Sequence, residues 1–292
     1  MSRTTANLLL LLTAAIWGAA FVAQSTAMAL LSPLWFVALR FILTAIVSAP
    51  LAFIEARRRP RPIGWGDLGV MAGLTASFVA GVIVQQQGIL KTTVTNAGFL
   101  TSLYVLFTPF VALVMLGHRL ASRDFLTAGL ALVGAWLMSG GLSGIGVGDA
   151  YIAASALFWA MQLVFMEKAV KQTGRPFFVV FAQYVFTATI GLAIALAVDP
   201  IDWAAIRATW PEVVYAGVFS GGVGYTLQAV AQKHTRSSDA AIIFAMEAPF
   251  AMLAGALLLH ERIGLVGAIG AALIFVAVLI VSLMPARKTE PA

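Results

Sequence analysis

The chain is predicted to be an all-α integral membrane protein whose ten transmembrane helices form two inverted five-helix repeats. Three observations carry that expectation. Apolar residues fill 61% of the 292 positions and charged residues 10%, and mean hydropathy is +0.96, where soluble domains hold about half and about a quarter. Ten stretches have the roughly 20 apolar residues that a helix needs to cross the hydrocarbon. The sequence also matches itself at an offset of 142 to 143 residues, with five of the ten stretches in each copy. Five crossings return the chain on the opposite side of the bilayer, so the second copy sits upside down relative to the first. Such repeats build secondary transporters, with the site near the midplane between the halves.

The segments run in order over residues 7–29, 33–54, 67–90, 93–117, 124–141, 149–170, 176–198, 209–232, 237–260 and 263–284. The first has the position of a signal peptide. It is long and is followed by nine comparable segments, so it is read as the first span. Ser32-Pro33 opens the second, and the basic run from Arg57 to Pro62 closes it. Ser122 to Asp124 opens the fifth; Gly174 to Pro176 and Asp199-Pro200 bound the seventh; Met284-Pro285 ends the tenth. Thr95–Leu120 aligns without gaps on Ser238–Ile263, Pro33–Ala45 on Pro176–Ala188, and Thr13–Gly18 on Ser155–Ala160. Trp17 therefore falls on Trp159, Gly81 on Gly224 and Gln85 on Gln228. The expected units are residues 1–145, 146–284 and a disordered tail, 285–292.

Basic residues set the orientation. Fourteen Lys and Arg fall in the connections on the terminal side and three on the other, which places both termini in the cytoplasm by the positive-inside rule. The pI near 10.0 is explained the same way, so no nucleic-acid partner is expected. Cysteine is absent, which excludes disulfides and thiol chemistry. Three histidines near helix ends make no metal spacing, no P-loop is present, and no catalytic constellation forms. No metal, cofactor or enzyme activity is expected.

Eight residues are candidates for a transport cavity: Trp17, Arg40, Gln85, Tyr104, Trp159, Gln162, Gln228 and Glu247. Arg40 and Glu247 are the two charges well inside a span, where a charge is expensive and faces a cavity or a partner. Glu247 lies about 15 Å into segment 9 and Arg40 roughly 10 Å below the outer end of segment 2, from the rise per residue. Their depths then differ by about 5 Å, and an Arg40–Glu247 ion pair is the favoured arrangement; a lone proton-carrying Glu247 is the alternative. Arg40 aligns on Gln183 and Glu247 on Tyr104, so charge breaks the pseudo-symmetry. Trp17 and Trp159 are mid-span, away from the interface that tryptophan prefers, and either pack the core or line a wet cavity. Gln162 adds polarity one turn from Trp159. Gln85 and Gln228 end two ridges of small residues, Gly69-Gly73-Ser77-Gly81 and Gly217-Gly221-Gly224, read as helix-packing surfaces. Tyr225 and Phe244 are weaker lining candidates. Segments 5 and 10 are aliphatic apart from Trp136 and are expected to scaffold or to face lipid.

The five-plus-five organisation, the Ala14-x-x-Trp17-Gly18 element and the segment-9 end Leu259-His260-Glu261-Arg262-Ile263 resemble the drug/metabolite transporter superfamily and, within it, the EamA family. The family's Gly-Glu-Arg-Leu end of helix 4 stands here as Gly117-His118-Arg119-Leu120, without the acid, and Glu261 in the second copy is read as interfacial. The resemblance implies a central cavity framed by both repeats and export of small metabolites. Length and aromatic complement resemble the bacterial amino-acid exporters, including those for aromatic amino acids. The expected function is therefore an inner-membrane transporter or facilitator exporting amino acids or similar metabolites by alternating access. The alternative is a proton-coupled drug or cationic-amine exporter. A membrane enzyme lacks a catalytic constellation here, and a scaffold has no use for an inverted repeat. A small-molecule substrate and the lipid bilayer are the expected partners, and a monomer the expected state.

Overall fold

The computed structural model describes residues 1–58, 62–118, 120, 122–138 and 146–283. Arg59, Arg61, Arg119, the loop around Gly144, Met284 and the tail 285–292 lie outside the described residues. The spans are α1 (Arg3–Met28), α2 (Pro33–Arg58), α3 (Trp65–Ile89), α4 (Val94–Leu116), α5 (Ser122–Met138), α6 (Val147–Thr173), α7 (Pro176–Val198), α8 (Trp210–Gln232), α9 (Ser237–Leu258) and α10 (Leu265–Leu283). Among the described residues nine are long and apolar enough to cross a membrane; α5, with 17 residues, stops where the described residues stop.

Local chemistry sets the ends. Pro33 and Pro176 open α2 and α7, where a missing N–H costs no helical bond. Gly117 and Gly174 end α4 and α6 at φ 65°, in the left-handed region that glycine enters freely. Asp67 and Asp149 cap α3 and α6 by accepting the N–H groups of Gly64 and Gly146, each at 2.9 Å.

The main helix pairs join one repeat to the other: α3 with α6, α2 with α7, α5 with α10, and α1 with α8 and α9. A β-carbon at Gly18 would stand 2.7 Å from the Glu247 carbonyl oxygen, so the glycine of the Ala-x-x-Trp-Gly element is what lets α1 lie against α9. Helices α5 and α10 pack on each other, and Trp136 is 44% exposed on the outside of the bundle.

Arg3 Nη2 donates to the Val281 carbonyl at 2.8 Å, so the start of α1 and the end of α10 share one face, here the terminal face. Ion pairs close it. Asp239 meets Arg123 at 3.3 Å and Arg3 at 3.5 Å, and Asp124 meets Arg123 at 3.5 Å and Arg236 at 4.0 Å. Buried Glu167 takes the Lys171 ammonium at 2.7 Å and the Ser237 N–H at 2.6 Å, with His118 Nε2 at 3.6 Å. The network ties α1, α5 and the end of α4 to α6 and α9.

Three spans depart from continuous α-helix. α4 divides into halves α4a (Val94–Thr101) and α4b (Tyr104–Leu116), and α9 into α9a (Ser237–Phe244) and α9b (Glu247–Leu258). The breaks, at residues 102–103 and 245–246, are 143 positions apart, the offset of the repeat. Three-residue bonds tighten each one, among them Val105 N–H to Ser102 O at 3.0 Å and Ala248 N–H to Ala245 O at 3.2 Å. Pro249 has no N–H to return to the Ala245 carbonyl, and Pro109 none for Val105. In α8, residues Tyr215–Tyr225 form a π-helix. Its carbonyls accept side chains from three other spans: Gly217 O from Thr44 at 2.7 Å, Ser220 O from Trp17 at 3.1 Å, Gly221 O from Tyr184 at 3.3 Å and Gly224 O from Thr13 at 3.3 Å. The corresponding stretch of α3 is regular α-helix.

Candidate functional site

Both helix breaks open onto one cavity. Tyr104 is the first residue of α4b and Glu247 the first of α9b, and both line it. The remaining wall comes from Trp17, Ala20, Phe21 and Gln24 of α1, Arg40 of α2, Gln85 of α3, Thr101 of α4a, Trp159, Gln162 and Leu163 of α6, Ser220 and Tyr225 of α8, and Phe244 of α9a. The cavity has a volume of about 50 Å³. That holds a few waters. An organic solute needs the walls to move apart.

Rings form the apolar side. Trp17 stands 4.6 Å from Tyr225 and 4.9 Å from Phe244, Tyr225 is 4.9 Å from Phe78, and Phe78 is 5.6 Å edge-on to Trp159. The chain of rings thus runs from one repeat to the other at separations aromatic pairs favour.

The two charges do not meet. Arg40 is 6% exposed and Glu247 4%, yet the expected Arg40–Glu247 ion pair is not formed. Arg40 Nη1 instead donates to Gln24 Oε1 at 2.8 Å, and the guanidinium lies 4.6 Å over the Phe41 ring and 5.2 Å over that of Phe36. The same Gln24 oxygen accepts from Gln86 at 2.6 Å. An acceptor on the neighbouring helix, reached across a short connection, satisfies the arginine before a carboxylate at similar depth elsewhere in the bundle. Glu247 sits beside the Tyr104 hydroxyl without a completed hydrogen bond. Among the described residues four polar atoms of the wall lack a partner: Arg40 Nε, Tyr104 Oη, Trp159 Nε1 and Glu247 Oε1.

Seven of the eight candidate residues share this wall: Trp17, Arg40, Gln85, Tyr104, Trp159, Gln162 and Glu247. Gln85 donates to Thr101 at 2.9 Å. Gln228 does not line the cavity. It lies behind Gln162, donating to Gln162 Oε1 at 3.1 Å and Gln232 Oε1 at 2.8 Å, while Gln232 donates to the Leu163 carbonyl. The π segment just before it winds differently from the α-helix leading to Gln85, which turns the matched glutamine away. Gln24, Thr101 and Ser220 were not among the sequence candidates. For Gln24 a signal exists: a buried arginine needs an acceptor, and Gln24 stands one turn from the end of α1 beside it. Glu261, read as interfacial, is part-buried at the far end of α9 and accepts Thr95 Oγ1 at 2.9 Å. Among the described residues no group of three or more His, Asp or Glu gathers as a metal site.

The model of the EamA-like transporter family matches residues 4–140 and again 146–283. An uncharacterized transporter of Archaeoglobus fulgidus is 32% identical over 287 residues, covering 97% of this chain and 87% of that one. A crystal structure aligns with a TM-score of 0.78 at 18% identity, over 97% of this chain and 98% of the other; that likeness speaks for the fold alone.

Proposed function

The chain belongs to the EamA-like transporter family, and on that premise we propose that this membrane transporter exports amino acids or closely similar zwitterions through the central cavity. One observation carries the reading: a buried guanidinium and a buried carboxyl group line the same cavity, each with an unpartnered atom and not in contact with each other. Buried polar atoms left without a partner are costly, and a zwitterion supplies a partner to both groups. Its carboxylate meets Arg40, whose planar head is already oriented by Gln24 and two rings and keeps Nε free. Its ammonium meets Glu247 and Tyr104. An aromatic or aliphatic side chain lies along the rings.

We propose alternating access as the mode of transport, and the two ends support it. Gln24, Arg40 and Gln85 stand towards the far face, while ion pairs joining both repeats close the terminal face. Export requires that closure to open and the far side to seal in turn. We place the protein in a bacterial inner membrane with both termini cytoplasmic. Single cysteines at Leu30 and Arg58 of this cysteine-free chain test the orientation: an impermeant maleimide on intact cells should label Leu30→Cys alone.

The second reading, a proton-coupled exporter of cationic amines, is favoured by Glu247 having no cation against it among the described residues. Counterflow into liposomes preloaded with L-phenylalanine or phenethylamine separates the two. Exchange of phenylalanine that Arg40→Gln abolishes supports the zwitterion; exchange of the amine alone, indifferent to Arg40→Gln, overturns it.

A further inference from the structure

Trp17 and Trp159 hold equivalent places in the two repeats, and each rests on a glycine of the other. A β-carbon at Gly224 would stand 2.6 Å from Trp17 Nε1, and one at Gly81 would stand 3.4 Å from the Trp159 ring. Gly81 and Gly224 are themselves 143 positions apart. The backbones under the rings differ. Trp17 lies on the π segment, where Ser220 O accepts its N–H at 3.1 Å. Trp159 lies on α3, where the equivalent residue, Ser77, is inside a regular α-helix. The Trp159 N–H has no partner among the described residues, although the residue is only 8% exposed.

We infer that Trp159 is a specificity-determining residue whose indole N–H binds an acceptor atom of the transported solute, while Trp17 is a fixed wall. A buried donor without an acceptor is disfavoured, and one in a cavity wall is satisfied by whatever acceptor enters. The π segment therefore divides the roles of two otherwise matched tryptophans, fixing one and leaving the other for the solute. Residues around Trp159 support the assignment. Phe78 meets its ring edge-on at 5.6 Å and Gly81 leaves the ring seated, so the donor is held in place without being consumed.

The inference rests on the zwitterion reading, in which the acceptor is a carboxylate oxygen. The experiment uses the full chain in nanodiscs with ¹⁵N-indole tryptophan, Trp17 and Trp159 resonances being assigned by single Phe substitutions. Saturating L-phenylalanine should shift the Trp159 indole resonance downfield and leave that of Trp17 in place. Phenethylamine, with the same ring and ammonium but no acceptor, should not move Trp159. In counterflow, Trp159→Phe should raise the half-saturating phenylalanine concentration about tenfold or more, the loss of one charge-assisted hydrogen bond, with the maximal rate retained. A stationary Trp159 resonance in protein that does exchange phenylalanine overturns the inference and leaves the zwitterion reading standing, as does wild-type half-saturation in Trp159→Phe. Wild-type protein that does not exchange phenylalanine overturns both.

Discussion

Replacing Arg40 and Glu247 singly and together by Gln measures whether these two charges act as a pair. In a buried ion pair, removing one partner strands the other and costs about 3–5 kcal/mol, most of which the double variant regains. The geometry argues otherwise. Glu247→Gln removes no completed hydrogen bond, so its cost to stability should stay within about 1 kcal/mol. Arg40→Gln loses the bond to Gln24, about 1.5–3 kcal/mol for a charged donor. It also loses the face contacts with Phe36 and Phe41, about 1–2 kcal/mol where desolvated. Relief from desolvating the cation offsets part of this, leaving a net loss of about 2–3 kcal/mol. No hydrogen bond links the two residues or runs from both to one group, although Tyr225 lies within reach of both, so their effects should add within about 1 kcal/mol. Thermal unfolding in detergent, followed by tryptophan fluorescence for all four proteins, supplies the cycle. A coupling above about 2 kcal/mol, with the double variant more stable than Arg40→Gln, would refute the separation.

Glu167→Gln should destabilise by about 2–3 kcal/mol through lost charge-assisted bonds, less than a sealed pair because Lys171 is 39% exposed and can reach water; chemical denaturation measures it. Burial holds the His118 imidazole below the usual histidine value, Glu167 opposing and Arg236 and Lys171 reinforcing the shift. The folded state then binds fewer protons than the unfolded chain, so stability is full above the ordinary value near 6.5 and declines as pH falls below it. His118→Gln should lose less melting temperature than wild type between about pH 7.5 and 5.5, and an equal loss would contradict the assignment. Gly224→Ala should cost about 1–3 kcal/mol by forcing Trp17 off its seat, whereas Gly81→Ala, in ordinary contact with Trp159, should stay within about 1 kcal/mol; melting temperatures of the two variants decide this.

Hydropathy and charge suffice for the spans because each must satisfy its own backbone in lipid, and a steady offset suffices for the repeat. The breaks in α4 and α9 escape such a reading because Pro109 and Pro249 stand at different distances past the two breaks, so no shared motif marks them. The π segment escapes it for a deeper reason. The donors bonded to its carbonyls, from Thr13, Trp17, Thr44 and Tyr184, belong to other helices, and the first three lie more than 170 residues from their acceptors. Gly217, Gly221 and Gly224 read as a packing ridge, and that reading missed the change of winding. Depth estimates placed Arg40 and Glu247 at similar heights but carried no information on azimuth, which is what gives the arginine to Gln24.

The exchange of partners between repeats bears on how the protein is made. Synthesis at about 5–20 residues per second leaves the first five helices in the bilayer for several seconds before the rest follow. In that interval α2 waits for α7, α3 for α6 and α1 for α8 and α9, while Arg40 must lean on Gln24, its neighbour within the same half. Partners so far apart along the chain make assembly slow. The same arrangement means that the two halves, made as separate polypeptides in one cell, hold between them every principal helix pair of the intact bundle.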